Sequence, residues 1–169
     1  MSKRKEAPHA LSNLDVMRVT GCQFILYSQM KDVQNINELI NPYTLILYQL
    51  AKIGHFCCVF RDRFGTLNFF DPIGTKIDDE LKHVQRGYKA PYHNFTYLTR
   101  LFYRSGEDVE YNNYQYQIPT STVCGYWCAL RMKYSFLTCD EFYRKFKKLA
   151  HNDNGVVKKF IRVFYMQKT

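Results

Sequence analysis

The sequence predicts an α+β domain with a central, mostly antiparallel sheet and helices before, beside and after it. Three observations lead there. Short strand-forming runs, punctuated by Asn-Pro, Gly and Asp-Pro, dominate the first half of the chain. Helix-start signals and 3.6-period apolar patterns dominate the second half. No repeat, low-complexity tract or long linker divides the 169 residues, so one domain over 1–169 is expected. Its 46% hydrophobic content suffices for a core without covalent staples.

The elements follow in order. QFILYS is a short apolar run suited to a buried strand or an edge packing segment, and the Asn41-Pro42 break separates it from YTLILYQL, which is rich in strand formers. AKIG leads into a further strand, HFCCVF; RDRFG is a turn, and LNFF is a strand halted by Asp71 and Pro72. From Thr75 to Gln85, charges between Ile77, Leu81 and Val84 predict one exposed helix. VEYNNYQYQ alternates aromatic and polar residues as a half-exposed strand, and IPTSTV is a loop. CGYWCALRMKYSF is a buried helix. Thr138 with Glu141 forms a capping box opening CDEFYRKFKKLA, and Asn152 or Asp153 caps a last helix ending near Tyr165.

Composition narrows the function. The N-terminus MSKRKEAPHALSNLD carries charges where a secretory signal needs an apolar core. No stretch approaches the roughly 18 apolar residues of a membrane span. The expectation is a soluble protein of a reducing compartment with Cys22, Cys57, Cys58, Cys124, Cys128 and Cys139 mostly free. They contain no C-x-x-C unit, so neither a structural metal nor a cofactor is expected. The net charge is +9, and Arg144 to the end holds eight basic residues against one acid. Such a face suits a polyanion, nucleic acid being the commonest, or is simply a solvated helical surface. Lys147, Lys148, Lys158 and Lys159 are the candidate phosphate contacts.

The central hairpin supplies a chemical argument. If the chain turns within Asp62 to Gly65, antiparallel pairing sets His55 opposite residues 71 to 73, so its imidazole can meet the Asp71 carboxylate. That carboxylate is expected to accept the Nδ1 proton, fix the tautomer and favour the imidazolium, as a general base requires. Cys124, preceded by a loop and followed by Gly125 and an apolar run, falls in the first helical turn, where unpaired N–H groups and the helix dipole favour a thiolate. Gly125 is expected to let a substrate backbone approach. Cys57, Cys58, Cys128 and Cys139 are read as core. Gln117, seven residues before Cys124, can donate to an oxyanion beside the Cys124 N–H, and Gln115, on the same strand face, competes for that role.

Taken in order, G-H-F at 54–56, F-F-D-P-I-G at 69–74, and Gln117 with six residues between it and Cys124-Gly125 resemble the adenovirus maturation protease family. The same clan contains the proteases that remove small ubiquitin-like modifiers. The similarity runs from about Tyr43 to Leu137. It implies a papain- or adenain-like α+β fold whose cysteine-bearing helix packs on the sheet. It also implies the roles of nucleophile for Cys124, base for His55, orienting acid for Asp71 and oxyanion donor for Gln117. Small members occur in adenoviruses, virophages, large DNA viruses and Maverick-like elements, where they cleave capsid precursors, in the virion or infected cell, after small residues such as Gly. Two departures stand out. Phe56 replaces the family's Trp, and no cysteine lies between Cys58 and Cys124 to carry a disulfide-linked activating peptide.

Other classes share some of these features. A deconjugating protease would use the same four residues on a folded modifier with a Gly-Gly tail. A basic DNA-binding packaging protein would keep the cysteines as core and bind DNA in a salt-sensitive way.

Overall fold

The computed structural model describes residues 8–49, 54–79, 81 and 96–166. Helix α1 (Asn13–Thr20) opens on a capping box between Ser12 and Asp15 and closes on Gly21 in the left-handed region. Strand β1 (Gln23–Leu26) follows, then a 3-10 turn (Tyr27–Asp32) and the short α2 (Ile36–Leu39), capped by the Asn35 side chain. Strands β2 (Tyr43–Gln49), β3 (Gly54–Arg61) and β4 (Leu67–Phe70) come next. Helix α3 (Tyr97–Ser105), strand β5 (Val109–Tyr111) and helices α4 (Cys124–Lys133), α5 (Cys139–Phe146) and α6 (Asp153–Tyr165) complete the chain. The Thr138–Glu141 capping box and the Asn152 cap, which bonds the Gly155 N–H, stand where expected.

The class is α+β, but the sheet is mixed rather than mostly antiparallel. Its order is β1-β2-β3-β4-β5, with β2-β3 and β3-β4 antiparallel and both outer pairs parallel. The reason is connection length. Only a few residues separate the central strands in sequence, whereas residues 27–42 and 71–108 are long enough to carry helices and return each outer strand in parallel.

Period-two alternation divides the core between the two faces of the sheet. Leu45, Phe56, Cys58, Phe60 and Phe70 pack against α1, α4, α5 and α6. Ile46, Tyr48, Cys57, Val59 and Phe69 pack against the 3-10 turn, α2 and α3. Helix α4 is buried along almost its whole length, from Cys124 to Met132. Arg131 lies inside it, with its guanidinium between the rings of Phe60 and Phe142 at 4.7 and 5.0 Å and donating to the Tyr134 carbonyl.

Three segments differ from expectation. The predicted exposed helix over 75–85 is turn-like in its described part, and residues 80 and 82–85 lie outside the described residues. Asp78 is buried in the left-handed region and accepts bonds from the Tyr48 hydroxyl, the Thr99 N–H and the Thr99 hydroxyl. Its carboxylate thus pins this segment to α3, and Leu81 joins the apolar cluster beneath that helix. Helix α3 itself is unanticipated, although Leu98, Leu101 and Phe102 have helical spacing and Gly106 closes it. The strand predicted over 109–117 pairs only at Val109–Tyr111. Beyond it, the Asn112 side chain takes over the pairing, accepting from Asp71 N–H and donating to Asp71 C=O, and the chain departs from the ladder.

Candidate active site

The β3-β4 hairpin pairs Cys58 with Phe70 and Arg61 with Leu67, turning where the Gly65 N–H reaches the Asp62 carbonyl. Continued past the ladder, this register sets Cys57 level with Asp71 and His55 level with Ile73, within the expected range. The turn after β4 brings the carboxylate back onto the ring. His55 Nε2 lies 2.8 Å from Asp71 Oδ1, with both side chains buried. The nitrogen is Nε2, not the anticipated Nδ1. Nδ1 is thereby left for a second partner.

Asp71 is held from several sides. Its Oδ1 also accepts the Ile73 N–H at 2.9 Å, its Oδ2 accepts the Thr75 hydroxyl, and Asn112 clamps its backbone. The F-F-D-P-I-G pattern explains the turn. Gly74 has φ 83, and a Cβ there would stand 2.7 Å from the Tyr114 carbonyl oxygen, so only glycine closes it. Pro72 offers its carbonyl to the N–H groups of Tyr116 and Gln117, tying the loop before Cys124 to the same turn.

Cys124 begins α4 after Val123, which provides no side-chain cap, so the first-turn N–H groups are not consumed by one. The residue is 8% exposed and shares with His55 the wall of a cavity of about 480 Å³. Leu11, Leu47, Phe56, Ile73 and Pro119 make that wall mainly apolar. Burial, the largest single influence on His55, opposes its charge. The groups around the ring outweigh it: the Cys57 sulfur, the Asp71 carboxylate and the Cys124 sulfur raise its pKa well above the usual histidine value. Both thiols therefore lie within interaction range of the imidazole.

Gly125 serves packing rather than substrate approach. A Cβ there would meet Leu11 Cβ at 3.1 Å, Val16 at 3.5 Å and Phe56 at 3.6 Å, so its absence lets the N-terminal segment close over α4. That segment is tied down: Thr122 Oγ1 donates to the Pro8 carbonyl and the Tyr126 hydroxyl to the His9 carbonyl.

Gln117 and Gln115 separate clearly. Gln115 is exposed, whereas Gln117 is fully buried, its Nε2 making a 3.3 Å bond to the Ser121 carbonyl while its Oε1 has no partner among the described residues. Ser121 lines the cavity beside Cys124. Lys147, Lys148 and Lys158 are exposed, and Lys159 lies over the Phe146 ring at 5.9 Å. None of the four borders the cavity. All six cysteines are buried and none forms a disulfide, and Cys128 makes a 3.5 Å contact to the Phe56 carbonyl.

Cys57 is the residue whose place sequence reasoning missed. A ring nitrogen of His55, the sulfur of Cys57 and a carboxylate oxygen of Asp71 lie within 4.8 Å of one another. The available signal was His-x-Cys on a strand, which puts both side chains on one face.

No protein-family model matches the chain. Over 141 residues it is 28% identical to a protein of the Sputnik virophage described as "Uncharacterized protein V9", covering 79% of this chain and 81% of that one. The similarity supports a viral origin. No helix among the described residues is long and apolar enough to cross a membrane.

Proposed function

We propose that this chain is a cysteine endopeptidase, and the observation that supports the reading best is a buried, carboxylate-bound histidine beside a cysteine at an uncapped helix start, both on one cavity. Cys124 Sγ gives its proton to His55 and attacks the peptide carbonyl. Asp71 holds the imidazole through Nε2 and stabilises the imidazolium. The Cys124 N–H and the Gln117 amide receive the oxyanion. Gln117 suits this task because its Nε2 makes one long bond, 3.3 Å to the Ser121 carbonyl, and carries a second N–H to donate. His55 then protonates the leaving amine, and water hydrolyses the thioester with His55 as base.

The resemblance and the virophage similarity together favour capsid precursors as substrates, cleaved after small residues such as Gly, in the virion or infected cell. Non-specific DNA is the proposed second partner, met by the basic C-terminal region. The test is to incubate the protein, its Cys124→Ala form and its His55→Ala form with capsid precursors encoded beside it. Specific cleavage by the unmodified chain and none by either variant is expected. Full cleavage by either variant refutes the assignment.

A further inference from the structure

We propose that the buried trio His55, Cys57 and Asp71 is a binding site for a divalent cation of the zinc class. This stands on the geometry of the trio and does not require that the protein be a protease. Three donors of different chemistry, an imidazole nitrogen, a sulfur and a carboxylate oxygen, converge within 4.8 Å of one another. The backbone enforces this. His55 and Cys57 alternate onto one face of β3, the hairpin register sets Asp71 level with Cys57, and the Asn112 clamp and the Thr75 bond hold the carboxylate there.

In a tetrahedral zinc site, ligand atoms stand about 3.3 to 3.8 Å apart. The His55–Asp71 edge, at 2.8 Å, would open by about half an ångström as the cation takes the position of the shared proton. The longer edges, no more than 4.8 Å, would close by about 1.5 Å at most.

Charge and softness favour the same ion. Cys57 and Asp71 are both 0% exposed. A divalent ion held by a thiolate, a carboxylate and a neutral imidazole forms a charge-neutral buried set, so the Asp71 carboxylate keeps a buried counter-charge when the ring gives up its proton. The Cys57 thiol proton and the proton that His55 Nε2 shares with Asp71 both leave to solvent as the metal binds. Sulfur and nitrogen donors select zinc, cobalt(II) or cadmium over magnesium or calcium, which demand more oxygen ligands. His55 borders the cavity, which gives an entry path and leaves the fourth position to water. A bound ion would take the ring out of acid–base service, so on the protease reading zinc would switch hydrolysis off.

The experiment uses metal-free, untagged full-length chain titrated with Co²⁺ under reducing, anaerobic conditions. The expected result is the sulfur-to-cobalt charge-transfer band with intense visible bands of a tetrahedral thiolate site, saturating at one equivalent and bleached by Zn²⁺. Cys57→Ala should abolish the charge-transfer band and Cys124→Ala should keep it. His55→Ala should weaken Co²⁺ binding at least tenfold, which keeps the test open if Cys57→Ala fails to fold. No band in the unmodified chain overturns the proposal. So does a band that survives Cys57→Ala, or one lost in folded Cys124→Ala, which places the metal on the cavity thiol. These readouts are independent of proteolysis.

Discussion

Asp71→Asn isolates the charge of the His55–Asp71 pair from its shape. Oδ1 accepts two donors, His55 Nε2–H and Ile73 N–H, while Oδ2 accepts the Thr75 hydroxyl. An asparagine can keep its oxygen at the first position and turn its amide toward Thr75, whose hydroxyl then accepts instead of donating. Every hydrogen bond remains satisfiable, so the fold should survive. What disappears is the charge assistance, about 1 to 2 kcal/mol for a buried bond to an ionised group. The sign with pH follows from the histidine. Its pKa is raised in the folded state, so its stabilisation is complete below about pH 6.5 and is lost as pH climbs through the folded value. The stability gap between wild type and variant, measured by urea unfolding, should be widest near pH 6 and narrow toward alkaline pH. Turnover of a fluorogenic peptide should fall by about 10² to 10⁴, because the imidazolium formed at Cys124 loses its partner. A variant with wild-type turnover, or a gap that widens with rising pH, would refute the reasoning.

Gln117→Ala should lower turnover about 10² to 10³-fold while Gln115→Ala leaves it unchanged, since only Gln117 is buried beside the Cys124 loop; steady-state kinetics of both variants decide. Gly125→Leu overfills the contact with Leu11, Val16 and Phe56, costing about 1 to 3 kcal/mol, and should expose the N-terminal segment to limited proteolysis, an effect read by mass spectrometry of the fragments. Changing Lys147, Lys148, Lys158 and Lys159 together to Gln should weaken DNA binding and flatten its salt dependence in fluorescence anisotropy, with peptide hydrolysis intact. Unchanged affinity would remove DNA as a partner.

The local grammar of this chain was legible without coordinates. Apolar, strand-forming runs bounded by Asn-Pro, Gly and Asp-Pro marked β2, β3 and β4, and the Thr138–Glu141 box and the Asn152–Asp153 pair marked the starts of α5 and α6. Each of these depends on interactions within a few residues, and so did the turn at 62–65, which carried the register and with it the meeting of His55 and Asp71. The rest was settled by contacts between residues far apart in sequence. The charge spacing over 75–85 resembles a helix, but Tyr48 and α3 draw Asp78 inward, 30 and 21 residues away in the chain, and around Asp78 local propensity yields. The direction of β1 and β5 depends on where their helical crossovers return. Gly125 fits a close-approach role by its neighbours in sequence, yet Leu11, more than a hundred residues upstream, decides what its missing side chain accommodates. Likewise the choice of Nε2 over Nδ1, the burial of Gln117 and the convergence of Cys57 with His55 and Asp71 required the tertiary fold. The reason is physical: sequence spacing sets which face a side chain occupies, but only packing sets what it meets there.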